Sequence, residues 1–163
     1  MTPRALDRDI VGRRLRLLRD ALDDLGPLSG ITAERLTDEP LTRAAAERLI
    51  QVAVDLAIDI NGHVAVATAG RGPTTGRESF ELAARAGALD PSLADRLAPS
   101  AGLRNLLVHR YVDIKVDLVA EAVDEVLVGF DEYVAEMARF VSTAAPVGEP
   151  PASSDGPDGP SQT

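Results

Sequence analysis

The chain has 163 residues, 45% hydrophobic and 26% charged, with no cysteine and a net charge of −9. That length fits one domain with a conventional core, and the missing cysteines exclude disulfides and thiolate metal sites. A balance this acidic argues against a general nucleic-acid coat protein, whose sequence-independent binding rests on neutralised phosphates.

The charge is unevenly spread. Residues 1–19 hold six arginines against Asp7 and Asp9, a local +4 that leaves −13 for the remainder. Residues 113–136 hold eight acids against Lys115. The preferred reading packs a basic helix beside an acidic one; the other makes the arginines an RNA-guiding patch. No apolar stretch is read as approaching the roughly 18–20 residues of a membrane span, and the N-terminus has no signal-peptide core. The expectation is a soluble, cytoplasmic protein with no membrane contact.

Aromatics are only 3%, and Ala, Leu, Arg and Glu dominate, which favours helix. Leu15, Leu18, Leu22 and Leu25 form one stripe of a first amphipathic helix, which Gly26-Pro27 ends. A turn with a short helix over Thr32 to Thr37 follows. A second, long helix starts near Asp38 or Pro40 and reaches Ala69, with Leu49, Val52, Ala53, Leu56 and Ile60 as its buried face. Gly70-Arg71-Gly72 reads as a helix-ending turn and not as a phosphate loop. Thr75 is the candidate N-cap of a third helix, with Glu78 placed for a capping box and Gly87 for a C′ residue. Asp90-Pro91 restarts helix as cap and first residue, and Pro99 must kink or interrupt it.

A further helical stretch runs from Ser100 toward Val108. Beyond Tyr111, Asp113 caps a last long helix to about Val141, with Val116, Val119, Val123, Val126, Phe130, Val134 and Met137 inward. From Ala144 the composition turns to Pro, Gly and Ser without periodicity, which predicts disorder. The division is therefore a helical domain over 1–143 and a disordered tail over 144–163.

Chemistry concentrates in Leu103-Arg104-Asn105-Leu106-Leu107-Val108-His109-Arg110-Tyr111, an R-x-x-x-x-H-x-Y segment. A guanidinium holds a phosphate in two-point geometry and stabilises its developing charge. An imidazole, titrating near about pH 6.5 when unperturbed, takes a proton from a ribose 2′-hydroxyl or gives one to the leaving 5′-oxygen. That chemistry needs no metal, and only two histidines, His63 and His109, exist to bind one. Asn105 and His109 share a helix face. Arg104 and His109, five apart, diverge by roughly 140° on an ideal helix. Either the helix ends within the motif, or two copies of the motif assemble one site across a two-fold axis.

Other residues carry weaker readings. Glu47, Gln51, Asp55 and Asp59 form an i, i+4 row, most simply a solvated face; the sharper reading has Asp55 or Asp59 pair with Arg104 or orient His109. His63 reads as a partly buried polar residue and not as a catalytic one. Arg110 reads most simply as an exposed arginine; the sharper reading has it touch RNA phosphate.

The segment from Ala44 to Ile60 resembles the second helix of HepT-type proteins of the HEPN superfamily. Arg77-Glu78-Ser79-Phe80-Glu81-Leu82-Ala83 through Leu89-Asp90-Pro91 is similar to that family's next segment. The R-N-x-x-V-H-x-Y motif opening onto a final long helix completes the ordered set, so the likeness covers about residues 5–140. Pro99 departs from the uninterrupted helix expected there.

The resemblance implies an all-α fold, a HEPN-type bundle of about five helices with two long antiparallel helices. It implies a metal-independent ribonuclease toxin whose site forms in a homodimer, with RNA as substrate. Arg104 and His109 are then the catalytic pair, with Asn105 in the polar position after the arginine. The cognate antitoxin is a minimal nucleotidyltransferase of the MntA type, which uses ATP to attach AMP to the motif tyrosine, here Tyr111; the chain itself takes no cofactor. The competing function is a non-catalytic HEPN module that docks a nucleotidyltransferase. The intact Arg, Asn, His and Tyr set favours the enzyme.

Overall fold

Short side chains set most of the helix starts. In a computed structural model that describes residues 5–109 and 113–144, Asp7 caps α1 (Arg8–Leu25) by accepting from the Ile10 N–H at 3.0 Å. Thr32 does the same for α2 (Ala33–Asp38) through Arg35 N at 3.2 Å. Pro40, at the first position where no donor is lost, opens α3 (Pro40–Ala69). Thr75 caps α4 (Gly76–Arg85) through Glu78 N at 3.1 Å, and Asp90 caps α5 (Pro91–Leu97) through Ser92 N at 2.8 Å. Pro99 then precedes α6 (Ser100–Val108), and α7 (Val116–Thr143) completes the order, with one 3-10 turn at Gly26–Leu28. No strand occurs among the described residues. Among the described residues there are seven helices, α2 being a short one and Pro99 dividing α5 from α6.

Two local expectations change. Glu78 does not close a capping box on Thr75. Its carboxylate accepts instead from Thr74 N and Oγ1, both at 2.6 Å, and from Arg71 at 2.9 Å. Asp113 does not cap α7: the N-cap is Lys115, without a side-chain cap bond. Arg43 on α3 donates to the Ile114 carbonyl at 2.9 Å, and the chain stays extended through Lys115 before it turns into helix. Gly70, at φ 71°, ends α3 in the left-handed conformation that favours glycine.

The two longest helices run in the same direction, which corrects the antiparallel expectation. Arg43 near the start of α3 meets Ile114 just before α7, while Tyr133 late in α7 meets Ala57 and Asn61 in the second half of α3. The antiparallel partner of both is α1. Arg8 at its start donates to the Val141 and Ser142 carbonyls near the end of α7, each at 2.9 Å, and Arg19 pairs with Asp131 at 2.6 Å. Arg14 pairs with Asp59, while Asp7 and Ile10 lie beside His63 and Val66 farther along α3.

The bundle's central element is α3, touching α1, α2, α4, α6 and α7. Its fully buried residues are Ala46, Ile50, Ala53, Val54, Ala57, Ile60, Asn61, Val64 and Ala65; the expected Leu49, Val52 and Leu56 are only half-buried. Alanines at 46, 53 and 57 let neighbouring helices approach closely, and this choice turns the helix away from the leucine stripe. By length and composition α3 is also apolar enough to cross a membrane, contrary to the expectation that no stretch comes near. Contact with five other helices gives a core helix that hydropathy without a membrane. On α7 the inward stripe holds at Val119, Val123, Val126, Phe130 and Met137, whereas Val116 and Val134 are half-buried. A Cβ at Gly129 would stand 2.7 Å from Leu97 Cδ2, so α5 packs directly on the α7 backbone. Phe80, Phe130 and Tyr133 meet in tilted and edge-on pairs, with centroids 5.8–6.4 Å apart. The predicted tail, residues 144–163, lies outside the described residues except for Ala144.

Candidate active site

The motif sits on the last helix before α7. Ala101 and Leu107 anchor α6 in the core, which turns Arg104, Asn105, Leu106 and Val108 outward. Arg104 Nε donates to Asp55 Oδ1 on α3, and Arg104 Nη1 lies 3.3 Å from Asn105 Oδ1. Both members of the ion pair are about one-third exposed, Arg104 at 34% and Asp55 at 36%. The guanidinium is therefore held at its Nε edge. An arginine carries five N–H donors, so donors remain to face a phosphate.

The helix ends inside the motif. Val108 is the last residue of α6, and His109 is its C-cap at φ −86° and ψ 71°, with its backbone N–H donating to Asn105 O at 3.2 Å. The imidazole is exposed. The helix thus ends within the motif, but only the chain beyond His109 is redirected; His109 itself keeps its helical bond to Asn105, so its divergence from Arg104 by roughly 140° persists, and the assembly of one site from two copies of the motif stays open. Arg110 and Tyr111 lie outside the described residues.

The acidic row of α3 divides among three arginines. Glu47 pairs with Arg43 at 2.8 Å, Asp55 with Arg104, and Asp59 with Arg14. Asp55 is therefore the carboxylate that meets the motif. Besides Arg14, Asp59 has His63 as a neighbour, with Nε2 3.9 Å from its Oδ1. Among the basic residues of α1, Arg8, Arg14 and Arg19 serve packing against acidic or carbonyl groups. Arg13 and Arg16 stay exposed beside the exposed Leu17.

Sequence reasoning missed a buried polar link behind this face. The Tyr133 hydroxyl lies 2.8 Å from Asn61 Oδ1 and 3.2 Å from Ala57 O, and Asn61 Nδ2 donates to Ser79 Oγ at 3.3 Å. It ties α3, α4 and α7 together through Ala57 and Asn61, the residues two before and two after Asp59. Burial, with a smaller contribution from the Asp59 charge, pushes the Tyr133 hydroxyl well above its ordinary range. A tyrosine amid acids at 131, 132 and 136 gives little local sign of being inside.

Comparisons with known proteins bear on the family and the fold. A family model described as "Ribonuclease HepT-like" matches residues 18–137. The chain is 33% identical over 134 residues to the tRNA nuclease HepT of Aphanizomenon flos-aquae, a match covering 82% of this chain and 91% of that protein. It is 31% identical over 88 residues to the mRNA nuclease HepT of Shewanella oneidensis, covering 54% of this chain and 63% of that protein. The fold matches a tri-AMPylated HEPN toxin of Shewanella oneidensis solved in complex with an MNT antitoxin, at TM-score 0.71 and 22% identity, over 80% of this chain and 98% of that one. A toxin–antitoxin structure with AMP-PNP matches at TM-score 0.70 and 23% identity, with the same coverage. By the extent of the family match and by its nearly full-length likeness to a tRNA nuclease, the chain belongs to the HepT-like ribonuclease family.

Proposed function

We propose that the protein is a metal-independent endoribonuclease, the toxin of a cytoplasmic toxin–antitoxin pair, with Arg104 and His109 as its catalytic residues. The reading rests chiefly on one observation: Arg104 is held by Asp55 at the helix turn before the chain leaves α6 at an exposed His109. Arg104 binds the scissile phosphate through its remaining donors, and Asn105 steadies the guanidinium. The substrate's 2′-oxygen attacks phosphorus, the P–O5′ bond breaks, the 2′-OH proton passes to a base and O5′ takes a proton from an acid. A homodimer that brings two motifs to one cleft supplies an imidazole for each transfer; such isologous pairing is the commonest oligomer geometry. Leu106 and Val108, each 41% exposed beside the motif, offer apolar surface for that pairing. The control partner is an MNT-type nucleotidyltransferase that uses ATP to modify Tyr111.

The test is cleavage of RNA by purified, unmodified protein. Cutting persists in EDTA and leaves a 2′,3′-cyclic phosphate and a 5′-hydroxyl. Arg104→Ala and His109→Ala each lose about 100-fold or more, in the range of a general acid–base contribution, while keeping the wild-type circular dichroism. A need for added Mg²⁺, or cutting of the all-deoxy substrate, would sink the mechanism. Absence of any RNA cleavage would return the chain to a module that docks a nucleotidyltransferase.

A further inference from the structure

The α3 face that carries Asp55 continues through Asp59 to His63, in steps of one helical turn. Asp55 holds Arg104 from α6, Asp59 holds Arg14 from α1, and His63 Nε2 lies 3.9 Å from Asp59 Oδ1. From Asp55 to His63 the row extends about 12 Å. Where it ends, a cavity of about 590 Å³ opens between the start of α1 and the last turns of α3. That size lies within the roughly 300–1,000 Å³ of small-molecule sites. Its walls are mixed: Ile10, Val66 and Ala67 are apolar, while Asp7, Asp59 and His63 bring polar groups.

Gly62, on the same wall, leaves the cavity open. It lies in the interior of α3 at no positive φ, where glycine destabilises a helix relative to alanine. Packing does not require it: a Cβ there would meet nothing closer than Pro73 Cδ at 3.9 Å, an ordinary contact. A side chain at 62 would, however, narrow the cavity.

We propose that this cavity receives the base of an RNA nucleotide close to the scissile bond, with Arg14 outside it on the neighbouring phosphate and His63 against the base. The proposal rests on the ribonuclease reading and adds a subsite to it. The electrostatics favour a base over a phosphate inside. Asp7 already accepts from Ile10 N and Asp59 is matched by Arg14, so the interior offers carboxylate acceptors and an imidazole to the N–H edge of a base. An anion would be repelled there. The Arg14 side chain, 31% exposed at the rim, supplies the positive charge. The row thus sets two arginines along the strand, Arg104 at the bond that breaks and Arg14 beyond it.

Two measurements test this on the whole protein. The first reads cleavage of a mixed-sequence oligoribonucleotide pool by wild type, Gly62→Leu and His63→Ala. Both variants flatten the base preference at one position near the cut and raise KM about tenfold, the size of one lost base contact, with a smaller change in kcat. The second reads affinity alone, by anisotropy of a labelled oligonucleotide bearing 2′-deoxy groups that block cutting; both variants bind it about tenfold more weakly. Gly62→Leu keeps a wild-type melting temperature, and Gly62→Ala, which melts at or above wild type, replaces it if leucine prevents folding. Unchanged preference and unchanged affinity in folded variants overturn the subsite while leaving the ribonuclease reading intact. Weakened binding by the variants, with no cleavage by wild type, overturns the ribonuclease reading and keeps the cavity as an RNA site.

Discussion

Asp55 does more for Arg104 than its modest burial does for stability. A pair with both members about one-third exposed is worth roughly 0–1 kcal/mol, because solvent screens it and two side chains lose freedom. Holding the guanidinium at Nε has a different consequence. It leaves the other N–H groups aimed away from α3, and aim governs how well a phosphate is met in the transition state. Asp55→Ala is therefore expected to leave the melting temperature within about 2–4 °C of wild type, the shift for about 1 kcal/mol in a chain of this size, while kcat drops about tenfold or more and KM changes less. Asp55→Asn, which keeps an acceptor without the charge, recovers part of kcat. A loss of activity that tracks only the loss of folded protein would make Asp55 structural. The sequence narrowed the partner to two carboxylates one turn apart; choosing between them needed the position of α1, whose Arg14 takes Asp59.

At the scale of elements, what the sequence makes readable is what is local. A cap needs one oxygen and a neighbouring N–H, so Thr75 and Asp90 can be read in place. A buried face is different, because it depends on which helices arrive. Leu49, Val52 and Leu56 made the obvious stripe, yet the alanine side of α3 is the one its neighbours cover. Glu78 shows how a local signal is redirected: its carboxylate gathers Thr74 and Arg71 and straps the turn after α3 to the start of α4. Those bonds to the ionised form, first from the Thr74 hydroxyl and backbone and then from Arg71, lower its pKa from 4.5 to about 2. Since the folded value is the depressed one, the strap is fully present above pH 4.5 and is lost as pH falls through about 2. The shift of the Glu78 side-chain carboxyl carbon should accordingly titrate with a midpoint near 2. A midpoint at the ordinary glutamate value would remove the strap. Glu78→Gln should abolish the linked shift of the Thr74 amide over the same range.

At the scale of the molecule, direction was the feature least visible beforehand. Nothing in the periodicity of two long amphipathic helices says whether they run together or opposed. The answer depends on α4, α5 and α6, which carry the chain from the end of α3 back to its beginning before α7 starts. That return passage also places the motif. It delivers α6 against the middle of α3, and it releases the chain at His109 close to where α7 begins.

Control would act at this same exit from α6. Tyr111 follows His109 by two residues, so a group attached to it stays within a few residues of backbone reach of the catalytic face. AMP there adds bulk and at least one negative charge where Arg104 is to receive an RNA phosphate, and both effects oppose substrate without a change of fold. The prediction is that the nucleotidyltransferase partner plus ATP adds one or more AMP groups at Tyr111 and silences the ribonuclease. Tyr111→Phe then remains toxic when the partner is co-expressed, and modified and unmodified protein share the same dimer mass by light scattering. Intact mass and peptide mapping of the co-expressed pair decide the matter directly. Neutralisation with Tyr111 left unmodified would mean that the partner works by covering the cleft. A modified protein that still binds uncleavable RNA as tightly as before would show that charge and bulk at this exit do not reach Arg104.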